Sequence, residues 1–187
     1  MDKRKETLIK AMQDSNEEVR KAAAEAMEKH QVRQRLDFLE EKLTSGEMLE
    51  KIRAVYAITD MKGTRIIELL TKALKDPAED VRAAAVRALG EMSDAGAVPI
   101  LVEALNDASP MVARSSVDAL GKYNDPRALG PLMKALKNPD AGVVEKAIEA
   151  IGRYGDKRTE EAMLHFAVSG NEKMRSLALK ALGTMEG

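Results

Sequence analysis

The sequence predicts an all-α superhelix, a solenoid of about six helix pairs forming one continuous domain over residues 1–187. Three observations carry this. Glycine closes an Ala-Leu-Gly or Ala-Ile-Gly segment every 31 residues, at Gly90, Gly121, Gly152 and Gly183. A second column keeps the same step through Met12, Leu43, Leu74, Leu105, Leu136 and Ala167. Within each period the apolar residues fall into two helical stripes separated by a turn. Two columns at one period mean an internal repeat, and stacked repeats bury a core that one repeat alone cannot.

The stretch Ile66 to Asp94 serves as the reference unit. Ile67, Leu70, Ala73 and Leu74 recur at i, i+3, i+6 and i+7, one face of a helix. Asp76-Pro77 interrupts it. Val81, Ala85, Ala88, Leu89 and Met92 then form a second stripe. Val98, Leu101, Ala104 and Leu105 repeat the first stripe, as do Leu129, Leu132, Ala135 and Leu136. The second returns as Val112, Ser116, Ala119, Leu120 and Tyr123, as Val143, Ala147, Ala150, Ile151 and Tyr154, and as Met174, Ala178, Ala181, Leu182 and Met185. Small residues in the Ala85, Ser116, Ala147 and Ala178 column let neighbouring helices approach.

Turn residues repeat too. Asp94, Asp125 and Asp156 sit where an N-cap oxygen is wanted. Ser109-Pro110 reads as an N-cap followed by an N1 proline. Pro99 and Pro131 are expected in first turns. The glycines are expected to end second helices or to permit close backbone contact. Residues 64–187 hold the regular repeats and residues 1–63 the less regular ones. Leu8 to Met27 fits one unit. Leu36 to Met61 fits another if its Thr44-Ser45-Gly46-Glu47 turn is lengthened. Twelve helices are expected on this reading.

Composition excludes several functions. Lys+Arg is 30 and Asp+Glu 31, and the first 42 residues hold ten of each sign, so no basic surplus marks a nucleic-acid or membrane-surface binder. There is no cysteine, hence no disulfide, thiol nucleophile or Cys-zinc site. The opening Met1-Asp2-Lys3-Arg4-Lys5 leads into no apolar signal region, and no stretch approaches membrane-span length. A cytoplasmic location is expected.

The segment Leu74-x-Asp76-Pro77-x-x-x-Val81-Arg82-x-x-Ala85-x-x-Ala88-Leu89-Gly90 resembles HEAT-like repeats of the armadillo-type fold, in particular the short class named after phycobilisome lyases. The resemblance runs over nearly the whole chain, best from Thr64 to Gly183. It implies a turn Asp with an Arg six residues on, linking successive turns. Asp14–Arg20 and Asp76–Arg82 match, and Ser169–Arg175 keeps the Arg. Asp107 is followed at that spacing by Ala113, with Arg114 one residue late, and Asn138 by Val144. The ladder is therefore expected to be broken in the middle of the chain.

Enzymes with this fold supply tests. The deoxyhypusine hydroxylase type carries repeated His-Glu pairs for two irons. Here only His30 and His165 occur and neither precedes Glu, so no metal site is expected. His30 is expected near a helix end. A phycobilin lyase-related or other small-molecule-modifying role follows from family naming alone, and a tetrapyrrole pocket would call for more aromatics than two Phe and three Tyr. A DNA glycosylase would need a cationic groove. The leading expectation is a non-catalytic scaffold with no cofactor, presenting a concave surface to a protein or peptide.

In solenoids the second helices usually line the concave face. Their outward positions are Ala83, Arg87 and Glu91; Arg114, Asp118 and Lys122; Glu145, Glu149 and Arg153; Ser176 and Lys180. Arg87, Arg114, Asp118, Lys122, Glu149, Arg153 and Lys180 are the candidate partner-binding residues, with Arg114–Asp118, Asp118–Lys122 and Glu149–Arg153 as expected i,i+4 pairs. Tyr123 and Tyr154 are candidate anchors that share Met92's core column. In the last unit Val168 and Leu177 turn polar or small columns apolar, which points to self-association through the C-terminal repeat.

Overall fold

The computed structural model describes residues 2–61, 64–92 and 94–185. Among them are eleven α-helices and no strand. The helices are α1 (Lys3–Ala11), α2 (Glu17–Ser45), α3 (Met48–Thr59), α4 (Thr64–Ala73), α5 (Glu79–Glu91), α6 (Ala97–Ala104), α7 (Pro110–Tyr123), α8 (Pro126–Ala135), α9 (Ala141–Tyr154), α10 (Glu160–Ser169) and α11 (Glu172–Thr184). A short 3-10 turn, Lys157–Thr159, precedes α10. None is long and apolar enough to cross a membrane.

The expected pairs are present, but two helices are fused. The second helix of the first pair and the first helix of the next form the single 29-residue helix α2. The segment Lys29-His30-Gln31-Val32-Arg33-Gln34-Arg35 offers no Gly, Pro or capping residue, so nothing terminates the helix there. His30 accordingly lies mid-helix, 2.8 Å from the Asp2 carboxylate, and not near a helix end.

The core follows the second-helix stripes closely: Val81, Ala85, Ala88 and Leu89 are all fully buried. In α4 the stripe lies one residue earlier than expected. Ile66, Leu69, Leu70 and Ala73 are buried, whereas Ile67 and Leu74 are half-buried. The small column is also buried throughout, and the Ser116 hydroxyl donates to the Leu101 carbonyl, which satisfies it. Asp125 caps α8 as expected, whereas Asp156 caps the 3-10 turn ahead of α10 and Asp94 lies two residues before Gly96, the N-cap of α6. Because Pro126 takes the first turn of α8, Pro131 sits inside that helix. Asn124 and Gly155 end α7 and α9 in the left-handed conformation.

Successive second helices lie along one another, whereas successive first helices barely touch. The stack is tighter on the second-helix side, which is thus its inner side. The glycine column explains the closeness. A Cβ added at Gly90, Gly121 or Gly152 would lie 2.7, 2.9 or 2.8 Å from the methyl of Ala119, Ala150 or Ala181 on the next second helix. Tyrosines reinforce the same joints. Tyr123 Oη donates to Leu89 O, and Tyr154 Oη lies 3.0 Å from Leu120 O and 3.2 Å from Asp125 O. They bind one repeat to buried carbonyls near the end of the previous second helix, which the helix itself leaves short of partners.

The polar ladder is continuous where a break was expected. Arg82 forks onto Asp107 with bonds of 2.8 and 2.9 Å, and also donates to Asp76 O and Pro77 O. Arg114, one residue late, still reaches Asp140 with bonds of 2.9 and 2.7 Å. Gly142 makes this reach feasible, since a Cβ there would lie 2.5 Å from Arg114 Nε. Lys51 Nζ meets Asp76 at 2.6 Å, and Glu145 accepts from Lys173 at 2.6 Å. Each junction from α3 to α11 thus carries a charged rung, made by whichever side chain reaches the next turn.

Candidate functional site

The inner face is built from α3, α5, α7, α9 and α11. Asp118, on α7, stands at its centre. Its carboxylate lies 3.6 Å from Lys122, 3.6 Å from Lys146 and 3.8 Å from Arg153. Glu149, on α9, accepts from Lys146 at 3.2 Å and from Arg153 at 2.7 Å. Burial acts to raise the Glu149 pKa, but the two cationic donors outweigh it and hold the carboxyl below its ordinary value. Arg87 is exposed on α5, with its Nε 3.4 Å from the Tyr56 hydroxyl.

Arg87, Gly90, Arg114, Ser115, Asp118, Ala119, Lys122 and Lys146 line a depression of about 210 Å³. The glycine column contributes here as well: Gly90 lets the α5 and α7 backbones close while keeping the floor low.

Most of the predicted surface residues meet. Asp118, Lys122, Glu149 and Arg153 form one network, and the Asp118–Lys122 and Glu149–Arg153 pairs are present. Arg114 does not pair with Asp118. Its guanidinium turns along the stack to Asp140, which lowers the Asp140 pKa and raises that of Arg114. Lys180 is exposed on α11, away from this cluster. Ala83 is not outward but fully buried. Its column faces the next repeat, and a methyl there is simply covered. Tyr123 and Tyr154 are half-buried ties between repeats. Sequence reasoning missed Lys146 and Tyr56. Lys146 shares a column with the buried Ala84, which concealed that a long side chain there reaches the inner surface.

The C-terminal end carries a second surface. Val168 is 83% exposed. Leu177 is half-buried and packs against the core, because its column faces the preceding helix. Leu164, one turn earlier on α10, and Leu179 on α11 are exposed as well. No group of three or more His, Cys, Asp or Glu able to hold a metal ion occurs among the described residues.

A stack of antiparallel helix pairs, with rungs at the turns and a helical inner face, defines the α-solenoid class. A profile of HEAT repeats matches residues 37–115 and 67–151, and a single HEAT repeat matches residues 6–29. The chain belongs to the HEAT-repeat family. No curated protein matches the sequence. Among solved structures it is similar to the CpcE–CpcF complex of phycocyanin lyase from Nostoc sp. PCC7120, with TM-score 0.68 and 20% identity over 80% of this chain and 64% of that one. It is also similar to human deoxyhypusine hydroxylase, with TM-score 0.62 and 22% identity over 82% of this chain and 64% of that one. A designed armadillo repeat protein in complex with the peptide (KR)4 gives TM-score 0.60 and 20% identity, over 96% and 98% of the two chains. The chain thus spans just under two thirds of the lyase and hydroxylase chains. These identities establish the shared fold.

Proposed function

We propose that this protein is a non-catalytic cytoplasmic scaffold whose concave inner face binds an extended segment of a partner protein, with acidic side chains seated over α5, α7 and α9. The observation that carries the reading is the charge around the inner depression. Arg87, Lys122 and Lys146 line the depression with Asp118 as its one carboxylate, while Arg114, also in the lining, is matched by Asp140. Two cationic charges are left over on a surface shaped for side chains. The pairs to Asp118, at 3.6–3.8 Å, are loose and partly exposed. Such pairs contribute only tenths of a kcal/mol, so a partner carboxylate can displace them. The similarity to an armadillo design in complex with a peptide supports a peptide as the ligand, but (KR)4 itself would meet like charge here.

Fluorescence anisotropy with an alternating Asp-Glu peptide and with (KR)4 tests the reading. The acidic peptide should bind more tightly, and Arg87→Glu with Lys122→Glu should reverse the preference. Equal or tighter binding of (KR)4 to the unmodified protein would sink it. The likeness to the lyase favours a second reading, tetrapyrrole modification. The inner depression is lined by no aromatic side chain, and a visible absorbance band on adding a bilin would favour that alternative. Contact with a second copy through the C-terminal repeat is a separate property of the end of the stack.

A further inference from the structure

We propose that the crevice between the C-terminal ends of α6 and α8 is a second binding site, taking an extended partner segment that presents an apolar side chain beside a carboxylate. It lies on the first-helix side of the stack, so it goes beyond the inner-face reading and stands independently of it.

The crevice follows from how the first helices stack. They barely touch, so a gap opens where two of them end side by side at the turns. Three such gaps succeed one another at the repeat step: between α2 and α4, between α4 and α6, and between α6 and α8. Each is floored by the same two columns, Leu43 with Ala73, Leu74 with Ala104, and Leu105 with Ala135. Lys75 lines both the first and the second, and Asn106 both the second and the third. Together they form a segmented groove along the edge of the stack, a shape that suits an extended chain.

Charge sets the third gap apart. In the first, Lys72 is bound by Glu40 and Lys51 by Asp76. In the second, Lys75 shares the lining with the carboxylates of Glu103 and Asp107. The third holds about 370 Å³ and is lined by Lys134 and Lys137 with no carboxylate. Both lysines are exposed, and neither ammonium has a partner among the described residues. Half-buried Val102 and Pro131 form its apolar walls.

The shifted rung explains the missing carboxylate. Asp76 and Asp107 line their own gaps and accept from the backbone N–H two residues on, at 2.9 and 2.8 Å. Asn138 stands in their column and keeps that turn bond, accepting from Asp140 N at 2.9 Å, but brings no charge. The carboxylate that meets Arg114 has moved to Asp140, outside the crevice. Lys134 and Lys137 sit at the C-terminal end of α8, whose dipole favours cations, so two like charges stand together with no carboxylate between them. The crevice is therefore complemented by an apolar side chain over its floor and a carboxylate at the lysines. The Asn106 amide and Asn138 Nδ2, which donate to nothing among the described residues, remain for the segment's main chain.

Fluorescence anisotropy with a fluorescein-labelled peptide, Gly-Ser-Leu-Asp-Leu-Asp-Ser-Gly, tests this on the full chain carrying Arg87→Glu and Lys122→Glu, which reverses the inner face. The peptide should bind this background, and more weakly as salt rises. Adding Lys134→Glu and Lys137→Glu, both at exposed positions, should keep the folded circular dichroism spectrum and weaken binding about tenfold. Adding Lys10→Glu and Lys21→Glu instead, the same change of charge on α1 and α2, should weaken it far less. Peptides with Leu changed to Ser, or Asp to Asn, should each bind about tenfold more weakly. No binding to the background variant at millimolar peptide, or equal losses from the two lysine pairs, would overturn the proposal. A single-stranded oligonucleotide that displaces the peptide at equal concentration would overturn the assignment to a protein segment.

Discussion

Replacing Gly152 by alanine isolates what the glycine column contributes. In an open helix interior the change stabilises by about 0.8–1.0 kcal/mol, because alanine loses less backbone entropy. At Gly152 the new Cβ would lie 2.8 Å from Ala181 Cβ and 3.3 Å from Ala181 Cα, where ordinary contact begins near 3.4 Å. Neither neighbour is the far end of a flexible chain, so α9 and α11 must separate by several tenths of an ångström. Overpacking of this kind costs about 1–3 kcal/mol. The net change is a loss of roughly 0–2 kcal/mol on those two principles. Gly183→Ala is the internal control. Its Cβ would meet nothing within 4 Å among the described residues, and the change should gain up to about 1 kcal/mol. Urea unfolding of both variants, at concentrations where the chain is monomeric, should thus give midpoints on opposite sides of the unmodified protein. A Gly152→Ala variant as stabilised as Gly183→Ala would refute the close-approach argument. Adding Ala181→Gly to Gly152→Ala should show favourable coupling, since the pair restores the space.

Other joints give their own signatures. Tyr154→Phe leaves the Leu120 and Asp125 carbonyls without their phenol donor and should cost about 1 kcal/mol in urea unfolding. Burial raises the Tyr154 pKa above that of a free phenol, so its contribution is complete below the unfolded value of about 10 and is lost as pH rises through the folded value. At the Arg82–Asp107 rung, the guanidinium's hydrogen bonds hold the Asp107 carboxyl below its ordinary value. Stability from this pair should therefore be present above about pH 4 and lost as pH falls through the depressed folded value. Asp107→Asn should cost about 1.5–3 kcal/mol at pH 7 and flatten that acid limb in pH-dependent urea melts. In α2, Gln31→Pro should lower helical ellipticity and cost about 3 kcal/mol, because it breaks one continuous helix; no loss would mean that the helix does not run through that position.

The sequence made the repeat, the helix pairs and the fully buried second-helix stripe legible, because these depend on local spacing that recurs unchanged. It misplaced what depends on reach. No single residue announces that α2 runs on through Lys29 to Arg35; the signal is the lack of any stop between two stripes that each suggested a helix. The α4 stripe was offset by one residue because Ile66-Ile67 and Leu69-Leu70 present doublets, and only packing chooses between their members. Leu177 read as an open apolar position, but its column faces backward into the stack. Leu179 is 60% exposed and was hidden by a column that is apolar everywhere.

Arg114 shows how the same effect bears on binding. The ladder motif asks for an arginine six residues after the turn aspartate, and this repeat has alanine there. Moving the arginine one position along a helix rotates it by about 100°, which places it on the inner face by sequence. A long side chain can undo that rotation, and Gly142 on the next repeat leaves space for the guanidinium to do so. The rung is thereby repaired through Asp140, and Arg114 is withdrawn as a partner for Asp118. Asp118 is left to the longer contacts of Lys122, Lys146 and Arg153. The substitution that looked like a defect in the stack is thus the one that leaves the inner cluster loosely paired. A carboxylate from another protein can compete there at little cost, which it could not do against the tight forked bonds of the rungs.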